Sequence, residues 1–523
     1  MNISRRFFIG GAASFGAFGG CRFLSCHDYR AGGTPNLRFG VVSDIHITDS
    51  DPLGKDAIYG SNATFRKTLQ WFRDQNVDAV MIAGDMADKG MDTHLEAVAE
   101  AWYSVFPGDR YPDGRPIEKV FVYGNHDHHG FSYGGFAKKL YPDENERIKH
   151  ILLADLKGWW QKIFHEPYSR FYAKEIKGYT FLGGHWDNGP GINGSGGWGE
   201  DFFGPPLKAW LDAHARSLDP TLPFFYVQHP HPKDTCYGPW AWGHDKGGVT
   251  AALSPYANAI AFSGHSHYSL TDERSLWQGA FTSVGTSSLR YCGLPYDEYL
   301  PVGYENTSTE GKDAFRCNAQ KLMRCFPAND CRQGMLWTVY DDCIVIKRRE
   351  FLSDTDVGDD WVMPLPAAES RPFAFAERAK SFAAPEFVPN ATVKVEKVET
   401  KTRGGKSKDG KTVIPSETKT AYRVTAPAVL QTKKSRLYDL VFVAESKTGE
   451  KKTKLVMAEG YNHALGHPRT KLSNFCLFAL DELPKGDIRF TVTPRNCFAR
   501  SGHSLSSNLQ PPTSNLQPPT SNL

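Results

Sequence analysis

Long apolar runs are missing from this chain of 523 residues, and so is any surplus of charge. No internal stretch reaches the ~18 consecutive apolar residues that a helix needs to cross a bilayer. Lys and Arg number 61 against 58 Asp and Glu, a formal charge of +3, which gives no basic face for a nucleic-acid backbone. The ten cysteines include no Cys-x-x-Cys pair, so a structural zinc site is not expected. Any disulfide is expected to come from the cluster Cys317, Cys325 and Cys331. What is present suffices for folding: 40% hydrophobic and 13% aromatic residues exclude bulk disorder, and the length suggests two domains.

The first 30 residues read as a signal peptide outside the fold. Arg5-Arg6 precedes a Gly-rich apolar stretch, and "SRRFFIG" resembles the twin-arginine export motif. Cys21 stands where a lipid-attachment cysteine would, so the expected location is periplasmic or cell-envelope attached. From 36 to 352, apolar strand patterns alternate with helical ones, which predicts a layered α/β domain. Strands are expected at 37–42, 78–84, 119–124, 179–185, 224–230 and 259–265, and helices at 64–72, 94–106, 145–164 and 207–215. Late hairpins follow, the second turning at Asp341-Asp342. Ala and Pro dominate 353–387, which reads as a surface linker. Residues 388–505 hold short alternating runs that resemble an immunoglobulin or fibronectin type III sandwich. The repeats of "SNLQPPT" in 506–523 read as a disordered tail.

The polar residues that end the expected strands carry the chemistry. "VVSDIHI" ends in Asp44-x-His46, "MIAGD" in Asp85, "YGNHD" in Asn125-His126-Asp127, "YVQHP" in His229 and "AFSGHSH" in His265-x-His267. In a mostly parallel sheet these carboxyl ends line one edge. Residues i and i+2 face one side of an extended chain, so each D-x-H or H-x-H pair is expected to point together. Gly before Asp85, Asn125 and His265 is expected to let the backbone turn sharply. Each piece alone is weak, since a lone Gly-Asp is usually a turn and a lone His before Pro a satisfied loop histidine. Five such endings in order are not. Seven mixed oxygen and imidazole ligands exceed one ion and suit two sharing a carboxylate.

The series "SDIH", "AGDMAD", "YGNHD", "QHPHP", "SGHSH" closely resembles the calcineurin-like metallophosphoesterase superfamily, over about residues 36–352. The resemblance implies a four-layer α/β sandwich, two mixed β-sheets flanked by helices, here followed by an all-β Ig-like domain. It implies one metal on Asp44, His46, Asp85 and His267, and a second on Asp85, Asn125, His229 and His265, with Asp85 bridging. It also implies that His126 faces the substrate, oriented by Asp127. The implied reaction is hydrolysis of a small phosphodiester or phosphomonoester by hydroxide held between two divalent ions. Asp, Asn and His ligands accept Mn, Fe, Zn, Ni or Co, so the metal stays open. Asp88 stands where purple acid phosphatases carry a ligating tyrosine, so a purple iron site is not expected. His128 and His129 are expected at the rim, and His185 and Asp187 either near the site or in a loop hydrogen bond. Two other readings exist: a non-catalytic scaffold on the same fold, and a sandwich that binds glycan or envelope.

Overall fold

The computed structural model describes residues 33–48, 62–128, 134–187, 201–237, 245–292, 304–305, 331–401, 405–406 and 412–508. The expected signal peptide, Cys21, His129 and nearly all of the repeat tail lie outside them. The chain opens with β1 (Leu37–Val42), α1 (Asn62–Asp74), β2 (Ala79–Ala83), α2 (Asp92–Val105) and β3 (Glu118–Val122). Short helices α3 (Gly134–Leu140) and α4 (Glu144–Lys149) lead to α5 (Leu156–Phe164). Next come β4 (Phe171–Ile176), β5 (Tyr179–Gly184), α6 (Gly204–His214), β6 (Phe224–Val227), α7 (Gly248–Leu253) and β7 (Ala259–Ser263). Then follow β8 (Leu276–Gln278), β9 (Thr282–Gly285), β10 (Gln333–Val339), β11 (Cys343–Glu350), β12 (Thr355–Asp356) and β13 (Trp361–Pro364).

Two mixed sheets result. The first runs β12-β11-β10-β1-β2-β3, with β13 also on β11; β1, β2 and β3 are parallel, and β10 is antiparallel to β1. The second runs β4-β5-β6-β7-β9-β8, parallel through β5, β6, β7 and β9. Alternation along each strand decides the layers. Phe39, Val41, Met81 and Val120 of the first sheet share a core with Phe181, Phe225 and Phe262 of the second. The opposite faces bury α1, α2 and α5 on one side and α6 and α7 on the other. Gly40 shows how tight this is: a Cβ there would lie 2.6 Å from the ring of Phe72 in α1.

Three local readings change. The helix expected over 145–164 is broken, because Ile151 bridges Met91 and the Leu152 amide donates to the Gly90 carbonyl at 2.9 Å. Asp155 then starts α5 afresh, accepting from the Gly158 amide at 2.8 Å. The half-exposed β4 has no counterpart in the sequence reading. Within the stretch read as a linker, Trp361–Pro364 forms β13, and Arg378 packs over the Trp361, Phe373 and Phe382 rings. Of the cluster expected to supply a disulfide, Cys317 and Cys325 lie outside the described residues and buried Cys331 is in no disulfide, whereas Cys343 is disulfide-bonded.

Beyond residue 388 the chain forms antiparallel sheets. Lys394–Lys401, Thr418–Thr425 and Phe475–Ala479 make one; Lys451–Met457, Asp439–Ser446, Ile488–Arg495 and Leu505–Asn508 make another. Both feed one core around Val424, Leu440, Phe442, Phe478 and Phe490. No helix among the described residues is long and apolar enough to cross a membrane.

Candidate metal centre

The carboxyl ends of β1, β2, β3, β6 and β7 bring all seven expected ligands to one place. Oxygens and nitrogens of Asp44, His46, Asp85 and His267 lie within 4.8 Å of one another. His267 Nε2 is 3.0 Å from Asp44 Oδ1 and 3.2 Å from His46 Nε2. His46 Nε2 is 3.5 Å from Asp85 Oδ2, and His229 Nε2 reaches the same oxygen at 3.1 Å. His265 Nδ1 is 2.9 Å from Asn125 Oδ1, and the His229 and His265 ring centres are 5.1 Å apart. Asp85 therefore lies between the two halves of the cluster.

The backbone reaches this arrangement by a route the strand period does not suggest. Asp44, His46, Asp85, His265 and His267 all have positive φ, between 47° and 68°. The i, i+2 pairs do not converge as extended strands do; each ligand sits in the left-handed region. Such strain persists where the surroundings over-determine it. The glycines act differently from one another. Gly84 has a φ of 90°, so its conformation is the requirement. At Gly124 and Gly264 space is the requirement: a Cβ would meet Asp85 Oδ1 at 2.2 Å in the first and Asp44 Oδ2 at 2.4 Å in the second.

Hydrogen bonds behind the histidines fix which nitrogen faces inward. His229 Nδ1 donates to the Ala83 carbonyl at 2.7 Å, and His267 Nδ1 to the Tyr291 carbonyl at 3.2 Å. His46 Nδ1 lies 3.2 Å from the Asp88 carboxylate. A carbonyl only accepts, so Nδ1 carries the proton and Nε2 is turned to the centre. Buried His229 Nε2 points at Asp85 Oδ2, 3.1 Å away. Side chains that converge on a common point, with their outer nitrogens already pinned, are what divalent ions require; the donor set fits two.

Charge points the same way. Burial would neutralise Asp44 and Asp85, but the neighbouring histidines outweigh it and hold both carboxyls below the usual range. Burial alone would depress His46, yet Asp44, Asp88 and Asp85 raise it to about 9. Burial opposes the charge on His229 too, and Asp85 and Asp44 raise it to about 9. Without metal, protons balance the carboxylates. A histidine raised from 6.5 to about 9 stabilises the metal-free fold fully below 6.5 and loses that contribution as pH climbs through 9. The depressed carboxyls contribute above their ordinary 3.8 and lose it as pH falls. Ions compete with protons for the same nitrogens. The rise in Tm on adding a divalent metal is therefore expected to be larger near pH 8.5 than near pH 6.5, by calorimetry against a chelated sample. A larger rise at the lower pH would contradict the assignment.

Two expected catalytic residues sit beside the ligands, with one correction. His126 is about one-fifth exposed; its amide donates to Asp85 Oδ1 at 2.7 Å, and its Nδ1 lies 2.9 Å from the Asp88 carbonyl oxygen. Asp127 does not orient that ring. Its oxygens accept from the amides of Ala87 at 2.8 Å and Gly124 at 2.7 Å, stitching the β2 and β3 loops together. Burial and the nearby Asp85 push Asp127 up to about 7 against those two donors. It reaches His126 only through the backbone. His128 is buried, not at the rim, and His185 is a core residue that accepts from the Tyr123 amide at 3.1 Å among four aromatic rings.

Lys89, Arg290 and Trp186 escaped the sequence reading, which named Asp88 only as the residue in place of a ligating tyrosine. Asp88 accepts from buried Lys89 at 2.5 Å and from buried Arg290, and faces His46. Burial notwithstanding, Arg290 and the histidines hold Asp88 well below the usual range. Trp186 stands 5.9 Å from the His229 ring and 6.1 Å from the His265 ring, an apolar wall on that side. The second acid of "GDMAD" was the available signal for Asp88; "SSLRYC" offers none for Arg290.

The cluster defines a candidate binuclear metal centre on an α/β sandwich. Residues 37–269 match the family model described as calcineurin-like phosphoesterase, and this part of the chain is a calcineurin-like metallophosphoesterase domain. Among solved structures, a dimetal phosphatase from Danio rerio is 13% identical, with 63% of this chain and 99% of that one covered at a TM-score of 0.35. Purple acid phosphatase PPD1 from yellow lupin (Lupinus luteus) is 11% identical, with 63% and 54% covered at 0.36. Zinc-bound Vps29 from Entamoeba histolytica is 11% identical, with 63% and 99% covered at 0.25. No curated protein matches the chain.

Proposed function

We propose that the chain is an exported binuclear-metal phosphoesterase that hydrolyses small phosphodiesters or phosphomonoesters. The observation that carries this reading is the convergence of seven ligand side chains with His126 beside them. Asp44, His46, Asp85 and His267 would hold one ion, and Asp85, Asn125, His229 and His265 the other. When bound, two divalent ions supply Lewis-acid polarisation of the phosphoryl oxygens and a water acidic enough to act as nucleophile near neutral pH.

The chain's own residues do the rest. Asp44 and Asp85 supply two negative charges against four positive, so the site keeps a net attraction for phosphate. With His126 Nδ1 committed to the Asp88 carbonyl, Nε2 is the nitrogen that serves the leaving oxygen, as proton donor or charge stabiliser. Trp186 keeps water from the back of the ligands. Asp127 and Asp88 hold the two loops that carry Asp85 and His126. The test is hydrolysis of an aryl phosphodiester and its monoester by residues 27–523 supplied with manganese. Preference for the diester or the monoester sets the substrate class. Turnover of neither, with metal bound, contradicts general phosphoesterase activity. Export rests on Arg5-Arg6 and the apolar stretch after them; a reporter carrying residues 1–30 that stays in the cytoplasm would contradict it.

A further inference from the structure

Among the described residues, the β-rich part beyond residue 388 contributes no side chain to the ligand cluster, yet its 459–463 loop is hydrogen-bonded to the segments that back it. The Asn462 carbonyl accepts from Gln333 Nε2 at 2.7 Å and from Cys331 Sγ at 3.0 Å. Asn462 Nδ2 donates to the Cys292 carbonyl at 3.3 Å, and the Tyr461 carbonyl accepts from Thr271 Oγ1 at 2.7 Å.

Gln333 is the hub of these contacts. It is wholly buried at the start of β10. Its Oε1 accepts from the Leu270 amide at 2.7 Å, Ser269 Oγ at 3.0 Å and Ser287 Oγ at 3.3 Å. Its Nε2 faces Asn462 and Cys331. The segments it ties are those that fix two ligands. Residues 269–271 begin two positions after His267. Residues 287–292 carry Ser288, whose Oγ donates to the Asp44 carbonyl at 3.0 Å, and Tyr291, whose carbonyl takes His267 Nδ1. The same segment carries Arg290, the partner of Asp88. One side-chain amide thus joins the β-rich part to the backing of both Asp44 and His267. A buried amide with every hydrogen bond made is costly to disturb, because its partners are left without water or substitute.

We infer that the β-rich part is an internal brace of the metal centre, acting through Gln333 as a positioning residue for His267 and Asp44. The inference rests on the metal-centre reading above. It makes this part integral to the site rather than a separable attachment module.

The test uses the full chain and three variants. Gln333→Glu keeps the acceptor toward Leu270 and Ser269 but turns an oxygen on the Asn462 carbonyl. Thr271→Val removes the bond to the Tyr461 carbonyl and the 2.8 Å bond to Ser269 Oγ, leaves Gln333 itself in place and keeps nearly the same shape. Lys433→Ala, the control, removes an exposed ion pair to Asp359 that also joins the two parts. Cobalt(II) binding isotherms and the visible spectrum of the bound ion are read together with Tm. Gln333→Glu is expected to weaken the tighter-changing of two binding steps about tenfold and alter the spectrum, Thr271→Val several-fold less, and Lys433→Ala not at all. Where Gln333→Glu does not fold, Thr271→Val decides. Folded variants that lose Tm yet bind cobalt with wild-type affinity and spectrum would give these residues a merely structural role and overturn the inference. A wild-type chain that binds no metal overturns the centre itself, and with it the brace.

Discussion

Asp85→Asn is expected to abolish turnover, by on the order of 10⁴-fold, and to cut metal binding below two ions per chain. The Asp85 carboxylate meets both halves of the centre. Its Oδ2 lies 3.5 Å from His46 Nε2 and 3.1 Å from His229 Nε2, one from each half of the cluster, while Oδ1 holds the His126 amide. The substitution removes a negative charge and puts an amide nitrogen where an ion's oxygen ligand belongs. It changes no volume, so the packed strand end after β2 remains. The loss should therefore appear in metal content and turnover together, with the folded state kept. A variant that binds two ions and turns over at a tenth of the wild-type rate would show that Asp85 is not the shared ligand.

His126→Ala is expected to separate binding from chemistry. Its ring contacts the Asp88 carbonyl, packs 4.3 Å from the His46 ring and converges with His46 and Asp88, but it stands outside the seven expected ligands. Its amide, which holds Asp85, survives the substitution. Two ions should still bind, and kcat should fall by roughly 10²–10⁴-fold, the range for losing a positioned general acid. The fall should be smaller for a substrate whose leaving group needs no proton, so the ratio between poor and good leaving groups is the sharper readout. A uniform fall across leaving groups would assign His126 to charge stabilisation, and no fall would remove it from the chemistry.

Much of the fold was legible because its strands are buried on both faces and read as short apolar runs closed by polar residues. Those polar ends marked the ligand positions for the same reason: a carboxylate or imidazole is a poor way to finish a core strand. What stayed hidden depends on contacts distant in sequence. The break between α4 and α5 comes from Ile151 pairing with Met91, which no local periodicity reveals. Asp127 follows His126 directly, and adjacency suggested a contact; the carboxylate instead turns to Ala87 and Gly124. The group that meets the His126 ring is Asp88, from another strand end. Left-handed backbone at five ligands follows from the loops packed around them, not from the types of the residues themselves. Arg290 sits far along the chain from Asp88, and only folding joins them.

Counting bound ions tests the central claim most directly. After stripping with a chelator and dialysis against manganese or zinc, the wild-type chain is expected to hold two ions, lost in two steps on titration with chelator. One ion per chain, or none, would contradict a binuclear centre built on Asp44, His46, Asp85, Asn125, His229, His265 and His267.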